Sequence, residues 1–163
     1  MDYPKRKHTR LKNYDYSQNG SYHIIIHASK EMSAFSDIVQ KQDDFSNSPI
    51  VCLRQSGKIL EKILFDTVDR FDGYEISAYC IMPTHIHILL LIQNAAFPIT
   101  EFVKAFKSLG TRECNITDKI PGRKVFQTSF YEHIIRNDND FSQTVKYISE
   151  NAIKEFLRTN NDM

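Results

Sequence analysis

The chain has 163 residues, of which 41% are hydrophobic and 25% are charged, with a formal net charge of +1. This length predicts one compact domain, and the composition excludes collagen-like, disulfide-scaffold and disordered proteins. No apolar run reaches the roughly 18 residues that a membrane helix requires. The basic first residues precede no apolar segment of the kind found in signal peptides. We therefore expect a cytoplasmic protein.

The first 20 residues are polar and basic, and they predict an N-terminal arm in front of a single domain over residues 21–163. Five cations lie among the first twelve residues, against Asp2 as the one acidic residue. Three of these cations are consecutive: Lys5, Arg6 and Lys7. A basic arm of this kind can bind phosphates. The alternative is a solvated tail without a ligand.

The remaining chain alternates between strand-like and helix-like patterns. Four segments are rich in β-branched and aromatic residues, as strands are: 22–27, 74–82, 85–93 and 130–136. Three segments repeat apolar residues every three or four positions, as amphipathic helices do: 59–71, 99–109 and 140–157. Residues 28–57 are polar and mixed, and residues 46–49 (SNSP) predict a loop. The short link Met82-Pro83-Thr84 permits only antiparallel neighbours.

This order of elements predicts an α+β protein with a ferredoxin-like βαββαβ fold. The expected architecture is a four-stranded antiparallel sheet with two helices on one face, plus a C-terminal helix.

Two histidines, His85 and His87, lie two residues apart at the start of the third predicted strand. Successive side chains of a strand point to opposite faces, so both imidazoles share one face and Ile86 points to the other. With a rise of about 3.3 Å per residue, the two Cβ atoms lie about 6.6 Å apart, which permits both rings to bind one metal ion. The alternative is a surface or hydrogen-bonded pair without a metal.

Two other pairs of polar residues share a face of their element. His23 and His27 lie about 13 Å apart along the first strand, too far for one metal ion without outside ligands, so we interpret them as structural or surface residues. Tyr147 and Asn151 are four residues apart on the last predicted helix and therefore lie on one side of it. A tyrosine at the edge of the apolar stripe, with its hydroxyl in water, is the alternative interpretation.

Together these segments resemble the REP-associated tyrosine transposases, relatives of the single-tyrosine transposases of the smallest insertion sequences. All belong to the HUH class, named for its His–hydrophobe–His motif. The resemblance runs through nearly the whole chain. It is carried by five segments: 15–22 (DYSQNGSY), 81–87 (IMPTHIH), 106–108 (FKS), 130–137 (FYEHIIRN) and 147–151 (YISEN).

The resemblance implies metal-dependent cleavage and strand transfer of single-stranded DNA that contains imperfect hairpins. Tyr147 would attack a phosphodiester, form a 5′-phosphotyrosine and free a 3′-hydroxyl. His85, His87 and the amide oxygen of Asn151 would hold one Mg²⁺ or Mn²⁺ ion. Neutral imidazole and amide oxygen suit such an ion, which would polarise the phosphate that is cut. No general base is evident in the sequence.

DNA binding would then depend on basic and aromatic side chains. Lys104, Lys107 and Arg112 lie on the second predicted helix, away from its apolar residues, and a solvated helix face is the alternative. Tyr131 is a candidate for stacking with a base, although a core position would explain it as well. The N-terminal arm is the other candidate.

Two alternatives in function and assembly remain open. A domesticated protein of the same fold could bind DNA hairpins without cutting them, because a complete set of residues also needs the correct geometry. The chain could act as a monomer or as a homodimer. A histidine-triad nucleotide hydrolase is excluded because Leu89 stands where that motif requires its third histidine.

Overall fold

A computed structural model of the chain describes residues 11–40 and 48–161. Within these residues, the strands are β1 Gly20–His27, β2 Ser36–Gln40, β3 Pro49–Leu53, β4 Tyr74–Ile81, β5 His85–Ile92 and β6 Tyr131–Ile135. The helices are α1 Gln55–Val68, α2 Ile99–Asp118, α3 Asp138–Ser149 and α4 Asn151–Asn161. No helix in the described part of the chain is long and apolar enough to cross a membrane.

Four of the strands form one antiparallel sheet in the order β4-β5-β1-β6. With α1 before β4 and α2 before β6, this is the ferredoxin-like βαββαβ arrangement, and the predicted fold is confirmed. The two central strands, β1 and β5, pair with each other along their full length, from Gly20 opposite Ile92 to His27 opposite His85. The segments that carry the histidines therefore lie in the middle of the sheet.

One face of the sheet is the apolar core, covered by α1 and α2. Ile24 of β1 and Ile86 and Ile88 of β5 are fully buried there. The two helices pack closely where α2 has Gly110, because a Cβ atom at that position would lie 2.7 Å from the side chain of Leu60 on α1. This face holds most of the apolar surface that folding removes from water.

The opposite face carries the side chains that alternate with the core residues, among them His85, His87 and Leu89. Helix α3 packs against β4 and β5 on this side. Leu89 is fully buried, and Ile148 of α3 is 2% exposed. Helix α3 therefore covers part of the face opposite to α1 and α2, and α4 packs against α3 and β3.

Residues 28–57, in which the sequence pattern indicates no strand, contain a two-stranded antiparallel hairpin of β2 and β3. The guanidinium of Arg54 donates two hydrogen bonds, of 2.8 and 2.6 Å, to the carboxylate of Asp37. The hydroxyl of Ser36 donates to the carbonyl of Ile81, which attaches the hairpin to the main sheet. Both strands are short and partly exposed, so neither shows the regular apolar alternation that identifies a strand in a sequence.

The predicted C-terminal helix is divided in two. Glu150 has φ −92° and ψ 0° and separates α3 from α4. Backbone hydrogen bonds continue across it, from Glu150 N to Lys146 O at 3.0 Å and from Lys154 N to Glu150 O at 3.1 Å. Since no proline or glycine marks this turn, the apolar periodicity alone predicts one continuous helix.

The second half of the predicted N-terminal arm packs against the domain. Tyr14 donates to or accepts from the hydroxyl of Tyr22 at 3.1 Å, and Tyr16 O accepts from Ile99 N at 3.2 Å. Tyr22 in turn donates to the carbonyl of Gln18 at 2.9 Å. Residues 11–19 therefore belong structurally to the folded domain, whereas Lys5, Arg6 and Lys7 lie outside the described residues.

Candidate active site

The two histidines of the HUH motif lie on the face of β5 opposite to the core. The ring centroids of His85 and His87 are 4.8 Å apart, with the rings nearly perpendicular. His87 is 1% exposed. Its Nε2 atom is buried and has no hydrogen-bond partner among the described residues. A buried nitrogen of this kind is unusual in a folded protein and indicates a site for a ligand.

Two more histidines reach this site from β1 because of the strand register. His27 lies opposite His85, with ring centroids 5.5 Å apart. His23 lies opposite Leu89, diagonally across from His87, and its Nε2 atom is 3.0 Å from Nδ1 of His87. The sequence suggested structural or surface roles for His23 and His27. Pairing between two strands that are distant in the sequence places them beside the motif, which spacing along one strand does not reveal.

Burial favours the neutral form of His23, His85 and His87. It lowers the pKa of His87 to about 3 and that of His23 to about 4, and neighbouring histidines lower the pKa of His87 further. The pKa of His85 is also lowered, first by burial and then by His27. A neutral imidazole has a free lone pair on one nitrogen, which is the form that binds metals.

Tyr147 comes to the site on α3. The helix begins at Asn137, whose side-chain oxygen accepts a hydrogen bond of 2.9 Å from Asp140 N, and acidic residues in its first turn favour the helix dipole. The Tyr147 ring centroid lies 5.6 Å from that of His87 and 6.2 Å from that of His23. Tyr147 is 42% exposed. Its ring therefore contacts the histidines while its edge stays open to a substrate.

Two lysines and two carboxylates surround Tyr147. The ammonium of Lys154 on α4 lies 4.7 Å from the centre of the Tyr147 ring. Glu150 is 3.6 Å from Lys154 and 3.8 Å from Lys146, on either side of the turn between the helices. Both lysines line a groove of about 560 Å³ with Tyr147, Tyr131 and His23, and the carboxylates of Asp140 and Glu150 line it as well. The groove therefore presents charges of both signs beside the tyrosine.

Asn151, the third ligand that the sequence suggests, begins α4 and is 6% exposed. Its Nδ2 atom is buried without a hydrogen-bond partner in the described part of the chain. One turn further along, the charge of Glu155 acts on His85 and raises its pKa, against the lowering by burial. Along the chain, Asn151 therefore lies between Tyr147 and Glu155, whose charge acts on His85.

The donors present fit a divalent ion of the predicted kind. Within residues 11–40 and 48–161, no group of three or more His, Cys, Asp or Glu residues could hold a metal. The candidate set instead combines two histidines with an amide oxygen, a set that leaves coordination positions for phosphate oxygens and water. The unpartnered Nε2 of His87 is the observation that favours this interpretation.

The predicted DNA-binding residues lie in separate parts of the surface. Tyr131 is 49% exposed and lines the groove beside Tyr147. Lys107 and Arg112 line another cleft, of about 630 Å³, between α2 and residues 122–128. Lys104 is exposed on α2 and lies 3.9 Å from Glu101. The sequence gives no sign of this separation.

Lys107 is bound within the protein. Its ammonium donates hydrogen bonds to the carbonyls of Gln127 at 2.6 Å and Thr128 at 2.9 Å. Burial lowers its pKa. Two of its three N–H groups therefore hold the segment that leads into β6, whereas Arg112 is exposed and has Glu113 at 3.9 Å.

A histidine to which the sequence assigned no role also lines the groove. His133 of β6 lies opposite His23 of β1, and its Nε2 atom is 3.1 Å from both carboxylate oxygens of Asp140. The backbone N–H of Arg136 and then His133 lower the pKa of Asp140. This pair connects β6 to the first turn of the helix that carries Tyr147.

Comparison with known proteins adds independent findings. Residues 16–151 match the family model described as Transposase IS200 like. An uncharacterised protein of Haemophilus influenzae is 25% identical over 169 residues, which cover 91% of this chain and 88% of that protein. A REP-associated tyrosine transposase of Escherichia coli K12 is 28% identical over 87 residues, 53% of this chain and 49% of that protein. The chain thus matches about half the length of this relative.

A solved structure supports the same fold. It is a REP-associated tyrosine transposase bound to a REP hairpin, and it superposes with a TM-score of 0.66 over 90% of this chain and 73% of that chain. The sequences are 18% identical. The similarity in structure therefore confirms the fold that the sequence predicted.

Proposed function

The chain belongs to the IS200-like transposase family, with the REP-associated tyrosine transposases among its relatives, and we propose that it cleaves and rejoins single-stranded DNA through Tyr147. The observation that carries the proposal is the contact of the Tyr147 ring with His87, whose buried Nε2 has no partner among the described residues. A nucleophile beside a nitrogen that can bind a metal ion is an arrangement suited to metal-assisted cleavage of a phosphodiester.

In the proposed reaction, the hydroxyl oxygen of Tyr147 attacks the phosphorus of a phosphodiester. A bond forms between this oxygen and phosphorus, and the bond from phosphorus to the 3′ oxygen breaks. The phenolic proton is lost to water, and the departing 3′ oxygen gains a proton to become a hydroxyl. Attack by another 3′-hydroxyl on the 5′-phosphotyrosine reverses the step and joins the strands without ATP.

Three residues would hold a divalent ion, Mg²⁺ or Mn²⁺: His85, His87 and Asn151. When bound, such an ion supplies charge neutralisation at the phosphate. The histidines contribute neutral nitrogens because burial lowers their pKa. The lysines beside Tyr147 would attract the DNA backbone into the groove.

We propose an imperfect DNA hairpin with a single-stranded flank as the substrate. The support is the relative of known structure, which is bound to a REP hairpin. In this chain, the groove beside Tyr147 has the exposed ring of Tyr131 for stacking with a flanking base. The exposed Arg112 and Lys104 on α2 are candidates for contacts with the hairpin phosphates. So are Lys5, Arg6 and Lys7 of the N-terminal arm.

The test is a cleavage assay on hairpin-bearing single strands taken from the flanks of the gene, with Mn²⁺ or Mg²⁺. We expect a covalent protein–DNA band on a denaturing gel that disappears with EDTA, with Tyr147→Phe and with His87→Ala. Tyr131→Phe is the matched control, because Tyr131 is similarly exposed in the same groove. This control should retain the band.

Other results would contradict the proposal in different ways. A band that survives Tyr147→Phe and is lost with Tyr131→Phe would show a different nucleophile. Hairpin binding without any band, with several hairpins and both ions, would identify a protein that binds hairpins without cutting them. Size-exclusion chromatography with light scattering would then show whether the DNA complex contains one copy of the chain or two.

A further inference from the structure

The hydrogen bond between the two buried histidines can run in either of two directions. A neutral imidazole has one N–H group and one lone pair. Since His23 Nε2 and His87 Nδ1 are 3.0 Å apart, one atom donates and the other accepts. If His23 donates, the proton of His87 is on Nε2. If His87 donates from Nδ1, its Nε2 atom keeps a lone pair.

The surroundings of His87 Nε2 distinguish these two directions. This atom is buried and has no hydrogen-bond partner among residues 11–40 and 48–161. Either tautomer leaves this buried atom without a hydrogen-bond partner in the metal-free chain. A proton on Nε2 would block the nitrogen from binding a cation, whereas a lone pair there can be completed by one. A proton on Nδ1 satisfies the bond to His23 and leaves Nε2 with its lone pair.

The sheet holds the two rings in this arrangement. His23 and His87 lie on the two central strands, and their rings are inclined by only 24° with centroids 5.2 Å apart. They are 7% and 1% exposed, so water has little access to replace the bond. The distance of 3.0 Å between His23 Nε2 and His87 Nδ1 requires that one of these two nitrogens carries a proton and the other a lone pair.

We propose that His23 is a positioning residue for the metal ligand His87. Its Nε2 atom accepts a hydrogen bond from the Nδ1–H group of His87, which fixes the His87 ring and directs the lone pair of His87 Nε2 toward the ion. Partners of this kind commonly orient metal-bound histidines. The proposal rests on the metal site in the proposed function and adds a residue from a different strand to it.

Metal affinity of the full chain tests the proposal without measuring activity. Titration calorimetry with Mn²⁺ should show that His23→Phe, which keeps a ring but removes the acceptor, weakens binding about 10- to 100-fold. His23→Gln places an acceptor oxygen at the end of a side chain of similar length and should recover most of the affinity. His133→Phe is the control, since His133 bonds Asp140 and should leave Mn²⁺ affinity close to that of the wild type.

The position of the proton can be measured directly in the metal-free chain. Nitrogen-15 NMR of labelled histidines in EDTA should show His87 protonated at Nδ1 and unprotonated at Nε2. In His23→Phe this preference should weaken or disappear. A wild-type His87 protonated at Nε2 would overturn the proposal, whatever the affinity measurements show.

The outcomes separate this proposal from the proposed function. A wild-type chain that binds no Mn²⁺ would overturn the metal site and, with it, the role of His23. A wild-type chain that binds Mn²⁺ with the same affinity as His23→Phe would overturn only the role of His23. Circular dichroism checks that each variant is folded. If His23→Phe does not fold, the His23→Gln variant and the wild-type NMR measurement still decide whether His23 accepts the hydrogen bond from His87.

Discussion

The two faces of the central sheet differ in the side chains that they bury. On the core face, Ile24, Ile86 and Ile88 are fully buried against α1 and α2, and each contributes apolar surface. On the other face, His23 and His87 are almost as deeply buried, yet the Nε2 atom of His87 has no partner within the described chain. Neighbouring residues of the same strand therefore serve different purposes, because alternation sends them to different sides.

This difference indicates that one face of the sheet provides stability and the other holds the polar groups of the candidate site. Apolar burial on one face supplies a surplus of folding free energy, at about 25 cal/mol per Å² of buried apolar surface. The other face can then hold neutral imidazoles and an amide whose hydrogen-bonding groups are incompletely satisfied. Polar groups in that condition reduce stability and are retained where a ligand completes them.

The sharpest test compares a substitution on each face in the metal-free protein. Ile88→Ala should lower the free energy of unfolding by about 2–5 kcal/mol, because it leaves a cavity in the core. The double variant His23→Phe with His87→Leu removes both partners of the buried hydrogen bond together. It should change the free energy of unfolding by less than about 1 kcal/mol, or increase it.

Urea unfolding in EDTA, followed by circular dichroism, measures both values. If the double histidine variant loses as much stability as Ile88→Ala, the histidine face is part of the structural core and the division between the faces fails.

The pH dependence of stability gives a second test. His23 and His87 have pKa values of about 4 and about 3 when folded, below the ordinary value of 6.5. The unfolded chain therefore binds more protons than the folded chain between these limits, and stability falls as the pH decreases from 6.5 toward 3. We expect a loss on the order of several kcal/mol from this pair, since one pKa unit corresponds to about 1.4 kcal/mol.

Urea unfolding at a series of pH values checks this expectation. The double variant should show a shallower decline over the same range, since it lacks both groups. An equal decline in the wild type and the double variant would assign the acid sensitivity to other residues.

The smallest expected effects concern two cations of the second cleft. Lys107→Met removes hydrogen bonds to the carbonyls of Gln127 and Thr128 and should lower the free energy of unfolding by about 1 kcal/mol. Arg112→Gln should leave stability unchanged. It should reduce the salt dependence of hairpin binding by about one unit of slope if Arg112 contacts a phosphate.

Fluorescence anisotropy with a hairpin at several salt concentrations, beside urea unfolding, measures both quantities. A normal stability for Lys107→Met, combined with a reduced slope, would instead make Lys107 the residue that contacts DNA.

The sequence predicts the sheet and the HUH strand because those signals are local. Strand β5 is a continuous apolar run with histidines at alternate positions, and α2 repeats apolar residues at helical spacing. The hairpin of β2 and β3 has no such pattern, because its short strands are half-exposed. The segment 28–57 therefore gives no periodic signal of its pairing.

Prediction of the candidate site from local sequence patterns has the same limit. His85, His87 and Tyr147 are recognisable from short motifs. The contribution of His23 depends on the register between β1 and β5, which joins residues 64 positions apart. Likewise, the role of Lys107 depends on a loop that returns to α2, so helical periodicity alone describes it as an exposed cation.

The position of the histidines in the sheet also has a consequence for motion. β1 and β5 are each paired on both sides, so their amides exchange with solvent only when large parts of the protein unfold. Tyr147 lies on a peripheral helix that ends two residues later, where local opening requires far less free energy. We expect slow exchange in the strands that carry His85 and His87 and faster exchange in the helices that carry Tyr147 and Asn151. These helices would then be the part that moves a DNA strand attached to Tyr147.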